Sequence, residues 1–250
     1  MTATIEDVFW AAHEGLPREA PGSPATTALL LRLAGPLPAA PRIVDIGCGT
    51  GPAALALAAA TGGEVVGVDL HEPFLARLRA AADAAGLGDR IRTVHASMED
   101  LPLPAAGVDL AGADLVWADG SAYIMGFDAA LRSWRGLLAP GGVLVLTEAE
   151  WTTRDPAPGA RAFWDEAYPA MRDTAANVAA ALDTGWTVAA TYLLPDSDWD
   201  VYYGPLGARL DELARAGTEP SMLAEVRREI DVRREHGSDY GYTAYVLRPR

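Results

Sequence analysis

An apolar strand that runs straight into closely spaced glycines, and from there into an alanine-rich helix, constrains this chain more than any other feature. Ile43, Val44 and Ile46 lead into Gly47, Gly49 and Gly51 on a GxGxG spacing, and Ala53-Ala54-Leu55-Ala56-Leu57-Ala58 follows. Glycine lets the backbone turn sharply and approach a ligand closely, because no Cβ intervenes. The helix start behind the turn offers unpaired N–H groups to a carboxylate or phosphate. Strand, turn and helix together imply a nucleotide-type cofactor. A dinucleotide fingerprint reads GxGxxG, its third glycine packing helix on strand. Here Pro52 takes that place, where proline suits a first helical turn, and the glycine comes one residue early at Gly51. Asp45, an acid inside the turn, would repel a pyrophosphate and suits the ammonium group of an amino acid. Residues 64–70 read as a second strand carrying Asp69, an acid placed to accept both ribose hydroxyls.

The rest of the chain continues this alternation. A leader over residues 1–22 ends in Pro21-Gly22, and Ser23-Pro24 reads as cap and first-turn proline of a helix through Leu33. A helix over 73–85 stops at Gly86. Strands are predicted over 91–96, 114–117 and 143–148, with a helix over 129–138 before the last. A sixth strand is expected over 186–192 and a seventh over 242–247. Between them, 193–239 is far longer than a hairpin needs and shows two helical stretches, one with Leu206, Leu210 and Leu213, the other over 222–236. The expected fold is α/β: a Rossmann-like, seven-stranded, mostly parallel sheet with helices on both faces and a helical insertion between the last two strands. The whole chain, 1–250, reads as one domain: cap helices over 1–40, a cofactor-binding core over 41–150, and a substrate side over 151–250 with the insertion at about 193–239.

Composition excludes several classes of partner. A net charge of −14 argues against nucleic acid and against an anionic membrane surface. The sequence contains no lysine, so Schiff-base and lysine-nucleophile chemistry are excluded. The single cysteine, Cys48, forms no internal disulfide, which fits a reducing cytoplasm. The acidic start and the lack of a long apolar run give no sign of a signal peptide or membrane span. A monomer or homodimer acting on a small molecule is expected.

The segment from Val44 to Gly51 resembles motif I of the class I S-adenosylmethionine (SAM)-dependent methyltransferases, and Asp69 resembles their ribose-binding acid. Residues 137–145, Leu-Leu-Ala-Pro-Gly-Gly-Val-Leu-Val, resemble their turn before the fifth strand. More narrowly, residues 117–127, the leader segments Gly15-Leu16-Pro17-Arg18-Glu19 and Pro21-Gly22-Ser23-Pro24, and Tyr240-Gly241-Tyr242 resemble a little-characterised bacterial subfamily of small-molecule methyltransferases. The resemblance implies SAM as methyl donor, S-adenosylhomocysteine (SAH) as product, and a small-molecule acceptor of biosynthesis or secondary metabolism methylated at O, N, S or C. It implies cofactor contacts from Asp45, Gly47, Cys48, Gly49, Gly51, Asp69 and Leu70, from Ser97 and Met98 at the adenine, and from Trp117.

Asp119, after the fourth strand, falls where such enzymes line the reacting methyl, and with His13 of the leader it is the candidate proton acceptor. The Asn/Asp-Pro-Pro-aromatic signature of amide methyltransferases is absent there, as Trp117-Ala118-Asp119-Gly120 shows. Glu148 and Glu150 close the fifth strand, and at most one is expected in the cleft. Tyr123, Glu148, Trp199 and Tyr203 are candidate substrate contacts, although aromatics at helical spacing also serve as core. No metal site is expected: Asp196, Asp198 and Asp200 alternate, but the glycine and distal glutamate of a calcium loop are missing. Two rival readings stay open, an NAD(P)-dependent oxidoreductase on the same sheet and a catalytically silent SAM-binding protein.

Overall fold

The computed structural model describes residues 4–101 and 110–250; the first three residues of the leader lie outside that range. Among the described residues eight strands form one sheet, seven of them in the order β3-β2-β1-β4-β5-β8-β7 and the eighth, β6, pairing with β5 off that path. They are β1 (Arg42–Ile46), β2 (Glu64–Asp69), β3 (Ile91–His95), β4 (Ala113–Ala118), β5 (Leu138–Trp151), β7 (Trp186–Leu193), β8 (Tyr240–Pro249) and a two-residue β6 (Arg172–Asp173). The seven expected strands are present, and β6 adds a short rung beside the far end of β5. β1 to β5 run parallel, whereas β8 is antiparallel to both β5 and β7. Strand order reverses between β1 and β4, and in such sheets ligands bind beyond the carboxyl ends at the reversal.

β5 is much longer than its neighbour. Its pairing with β4 ends at Ala118 and Leu146, so residues 147–151 project past the end of β4 while still pairing with β8. The apolar runs of β1, β4 and β5 are buried on both faces, as a covered parallel sheet requires. One face carries α3 (Pro52–Thr61) and α4 (Glu72–Ala84); the other carries α6 (Phe127–Trp134), whose Phe127, Leu131 and Trp134 are fully buried. Before α3 come α1 (Ile5–His13), opened by a reciprocal Thr4–Asp7 capping box, and α2 (Pro24–Leu33), capped by Ser23. A single turn, α5 (Ala122–Met125), stands on the end of β4.

The substrate side adds α7 (Pro158–Ala167) and α8 (Thr174–Asp183), which the sequence pattern left unassigned, then α9 (Asp196–Arg215) and α10 (Pro220–His236). The last two are the expected insertion. They pack on each other and on α1, closing the chain's beginning against its end. No helix among the described residues is long and apolar enough to cross a membrane.

Candidate functional site

The glycine turn is built as the sequence requires. Gly47, Gly49 and Gly51 all have positive φ, at 70°, 53° and 86°. A Cβ on Gly51 would come within 2.1 Å of Leu78, and one on Gly47 within 2.5 Å of Ser121, so side chains are excluded twice over. The turn is tied to the end of β2: Gly47 and Cys48 both donate to the Val68 carbonyl. Asp69 accepts Gly49 N–H at 2.9 Å on one oxygen and His71 N–H at 2.8 Å on the other. Two amides leave a carboxylate further lone pairs for hydroxyl donors.

Asp45 is fully buried under the turn at the start of α3. Oδ2 has no hydrogen-bond partner, and burial, reinforced by Asp119 and Asp69, pushes the carboxyl up to about 8, with the Ala54 amide opposing. Such an orphaned acid is stabilised by a cationic group brought to it. The site residues therefore fit a cofactor that carries ribose hydroxyls and an ammonium group: Asp69 for the former, Asp45 for the latter. Met98 fits beside them, its methyl 3.5 Å from where a Gly47 Cβ would stand. Ser97 accepts the Glu99 amide in a turn rather than opening a helix. Three expected cofactor residues lie differently. Trp117 is a core side chain beside Asp45, because its position in β4 points it into the sheet's buried face. Cys48 is buried against Gly67, its thiol pushed well up by burial. Leu70 is largely exposed.

The leader lies across this site. Arg77 donates to the Leu16 carbonyl at 2.7 Å, and a Cβ on Gly120 would meet Ala20 at 2.3 Å. Arg18 pairs with Asp119 at 2.8 Å, with side-chain exposures of only 7% and 13%. Thr147 donates to the other Asp119 oxygen at 3.1 Å. Burial pushes the Asp119 carboxyl up, against the pull of Arg18 and Thr147. Both Asp119 oxygens are engaged, so taking up a proton there would compete with the Arg18 pair. Glu19 reaches the turn itself: its Cγ is 3.1 Å from where a Gly49 Cβ would stand, and Thr50 donates to its Oε1 at 3.4 Å. Oε2 is buried without a partner, and burial pushes the carboxyl up to about 7. Sequence reasoning missed Arg18 and Glu19 as site residues; an adjacent Arg-Glu pair in a leader expected to fold over the site was the available signal.

His13 is likewise committed. Nδ1 faces the Phe9 carbonyl at 2.8 Å, and a carbonyl only accepts, so Nδ1 carries the proton. Nε2 therefore accepts the Tyr202 hydroxyl at 2.9 Å. Burial lowers the pKa and keeps the ring neutral, with no lone pair left for an acceptor's proton.

Beyond β4, a second region gathers α5, the projecting end of β5, α9, α10 and β8. Tyr123 and Tyr168 meet edge to face at 6.0 Å, and Tyr202 and Tyr203 lie 5.0 Å apart. Trp199 stands 5.0 Å from Tyr242 and packs in the core under Arg233, with Tyr203 at 5.6 Å. Tyr203 donates to Glu229 at 2.5 Å. Glu150 is held by Thr174, Asn177 and Tyr245, whereas both oxygens of Glu148 are buried without a hydrogen bond of ordinary length, Tyr168 reaching one only loosely. Burial pushes Glu148 up to about 8 and Tyr123 to about 12.

Known proteins are similar to this chain in sequence over part of its length and in fold. Residues 43–142 match the methyltransferase domain family. Over that segment the chain is similar to a methyltransferase domain. It is 38% identical over 125 residues to the 27-O-demethylrifamycin SV methyltransferase of Amycolatopsis mediterranei, covering 49% of this chain and 44% of that one. The chain spans under half the length of the first curated relatives it matches. Two solved structures share the fold of the methyltransferase domain and its flanking helices. A SAM-dependent methyltransferase from Thiobacillus denitrificans in complex with SAH superposes with a TM-score of 0.81 at 21% identity, covering 100% of both chains. Escherichia coli YjhP gives 0.82 at 22% identity, covering 97% of this chain and 99% of that one.

Proposed function

We propose that this protein transfers a methyl group from SAM to a small-molecule acceptor. The observation that carries the reading is Asp45: a buried carboxyl with a free oxygen under a GxGxG turn, inside the segment that matches the methyltransferase domain. A dinucleotide enzyme would have to bring a pyrophosphate to that acid. SAM, when bound, supplies a methyl group activated by its sulfonium.

Around it, this chain's residues position and exclude water. Asp69 holds ribose hydroxyls while keeping its two amide donors, and Asp45 and Glu19 receive the ammonium. Asp119 acts as a positioning residue: through Arg18 it clamps the leader over the glycine turn. The tyrosine-rich region beyond β4 receives the acceptor, with Tyr123 standing next to the Asp119-Gly120-Ser121 segment. Holding the acceptor in line with the methyl lowers the barrier without a metal or covalent intermediate. In this reading the protein works in the cytoplasm as a monomer or homodimer.

Thermal unfolding with SAM, SAH and NAD added separately tests the reading. Ligand at a hundredfold excess over its dissociation constant stabilises by about 2.7 kcal/mol. A rise with SAM and SAH and none with NAD is expected. A rise with NAD alone would instead support the oxidoreductase, and SAH binding without turnover across an acceptor panel would support a silent SAM-binding protein.

A further inference from the structure

The region proposed for the acceptor is chemically one-sided. Glu148 is 1% exposed and neither carboxyl oxygen has a hydrogen bond of ordinary length, the Tyr168 hydroxyl reaching it only loosely. Tyr168 is the hydroxyl that acts on it most directly, Tyr123 and Tyr242 both feel its charge, and Glu150 and Asp128 add further negative charge. Glu229 faces the same tyrosines from α10. The cations nearby are already committed: Arg172 to Asp128 at 2.6 Å and Arg18 to Asp119 at 2.8 Å. An acceptor bearing a carboxylate or phosphate would meet acids, with both of these arginines already paired to aspartates. A neutral hydroxyl could donate a hydrogen bond to Glu148 but would leave its buried charge uncompensated. A cation would meet the Glu148 carboxylate directly, an attraction that strengthens away from water.

Resting on the methyltransferase reading, we infer that the acceptor is a cationic amine, its ammonium held by Glu148 among the tyrosine rings and its nitrogen the atom that is methylated. The ammonium gives one proton to the Glu148 carboxylate. The freed nitrogen lone pair bonds the methyl carbon as the carbon–sulfur bond breaks, and the electron pair of that bond stays on sulfur. The product is a methylated ammonium, a neutral thioether and a protonated Glu148, so charge and atoms balance.

Matched probe sets test this: benzylamine, benzyl alcohol and benzoate, with butylamine, butanol and butyrate as the smaller set. Binding is measured by calorimetry on the full chain saturated with SAH, and transfer by SAH release from SAM. The amines are expected to bind at least tenfold more tightly than their neutral and anionic partners. Glu148→Gln is expected to weaken amine binding at least tenfold while SAH affinity stays within twofold. An equal or reversed ranking, no response to the amines, or an unchanged amine affinity in E148Q would overturn the inference. Should that variant fail to fold, the wild-type ranking decides alone. A wild-type protein that does not bind SAH would overturn the underlying methyltransferase reading instead, which separates the two failures.

Discussion

Arg18→Ala removes one half of an ion pair that joins the leader to the end of β4, 101 positions away. Both partners are nearly buried, and removing one member of a buried pair costs about 3–5 kcal/mol, mostly through the stranded charge. Asp119 keeps the Thr147 hydroxyl, and burial already favours its protonated form, so the lower end applies. In a domain of this size each kcal/mol moves the melting temperature by about 2–4 °C, which makes the expected drop roughly 6–12 °C. Asp119→Asn should be similarly harmful, because it strands the Arg18 guanidinium. The double variant should lose less than the sum, with a coupling of about 1–3 kcal/mol. Thermal unfolding of the four proteins by circular dichroism gives the cycle. Hydrogen exchange over residues 14–22 should accelerate in both single variants as the leader lifts. A coupling below about 0.5 kcal/mol, or leader exchange that does not change, would refute the view that this pair clamps the leader.

The other predictions concern the acids and the turn. Asp45, Glu19 and Glu148 sit at about 8, 7 and 8 in the folded protein, above their ordinary values. The folded state then holds more protons than the unfolded one between about pH 4 and 8, so their contribution lowers stability as pH rises through that window. Ligand-free protein should melt higher at pH 5.5 than at pH 8.5, and a flat or rising profile would contradict the burial argument. The gain from SAH should be larger at pH 8.5, where Asp45 is ionised for the ammonium. Gly51→Ala forces a side chain into a left-handed position 2.1 Å from Leu78 and should cost about 2–4 kcal/mol by denaturant titration, with loss of SAH binding. Asp69→Asn puts an amide where two backbone N–H groups need an acceptor; SAH affinity should fall at least tenfold by calorimetry, and an unchanged affinity would remove Asp69 from the cofactor site.

The fold was legible where its signals are local. Ser23 caps α2, Pro52 begins α3 and Gly51 turns with positive φ because each effect acts within a few residues. The segment from 152 to 185 carried no comparable signal. α7 and α8 are short, and α8 is an alanine-rich stretch with a weak apolar stripe; β6 pairs through only two residues. The long-range partners were illegible for a different reason. Nothing in the spacing of the leader tells that Arg18 meets Asp119 or that Glu19 rests on Gly49. Asp119 alone therefore looked like a free base.

That difference bears on which part of the molecule chooses the acceptor. The matched segment ends at residue 142 and holds the glycine turn, Asp69 and the strand-order reversal. Those features serve the cofactor and are what a core shared with other methyltransferases must preserve. The groups around the proposed acceptor come almost wholly from outside it: Glu148 from the projecting end of β5, Tyr202 and Tyr203 from α9, Glu229 from α10 and Tyr242 from β8. Tyr123 and Asp128 belong to the matched segment. Substitutions at Glu148 or Tyr242 should therefore change which acceptors bind while leaving SAH affinity intact, and substitutions at Asp45 or Asp69 should do the reverse. Identity confined to the core carries the donor from one protein to another, whereas the acceptor is written in the insertion, the last strand and the end of β5.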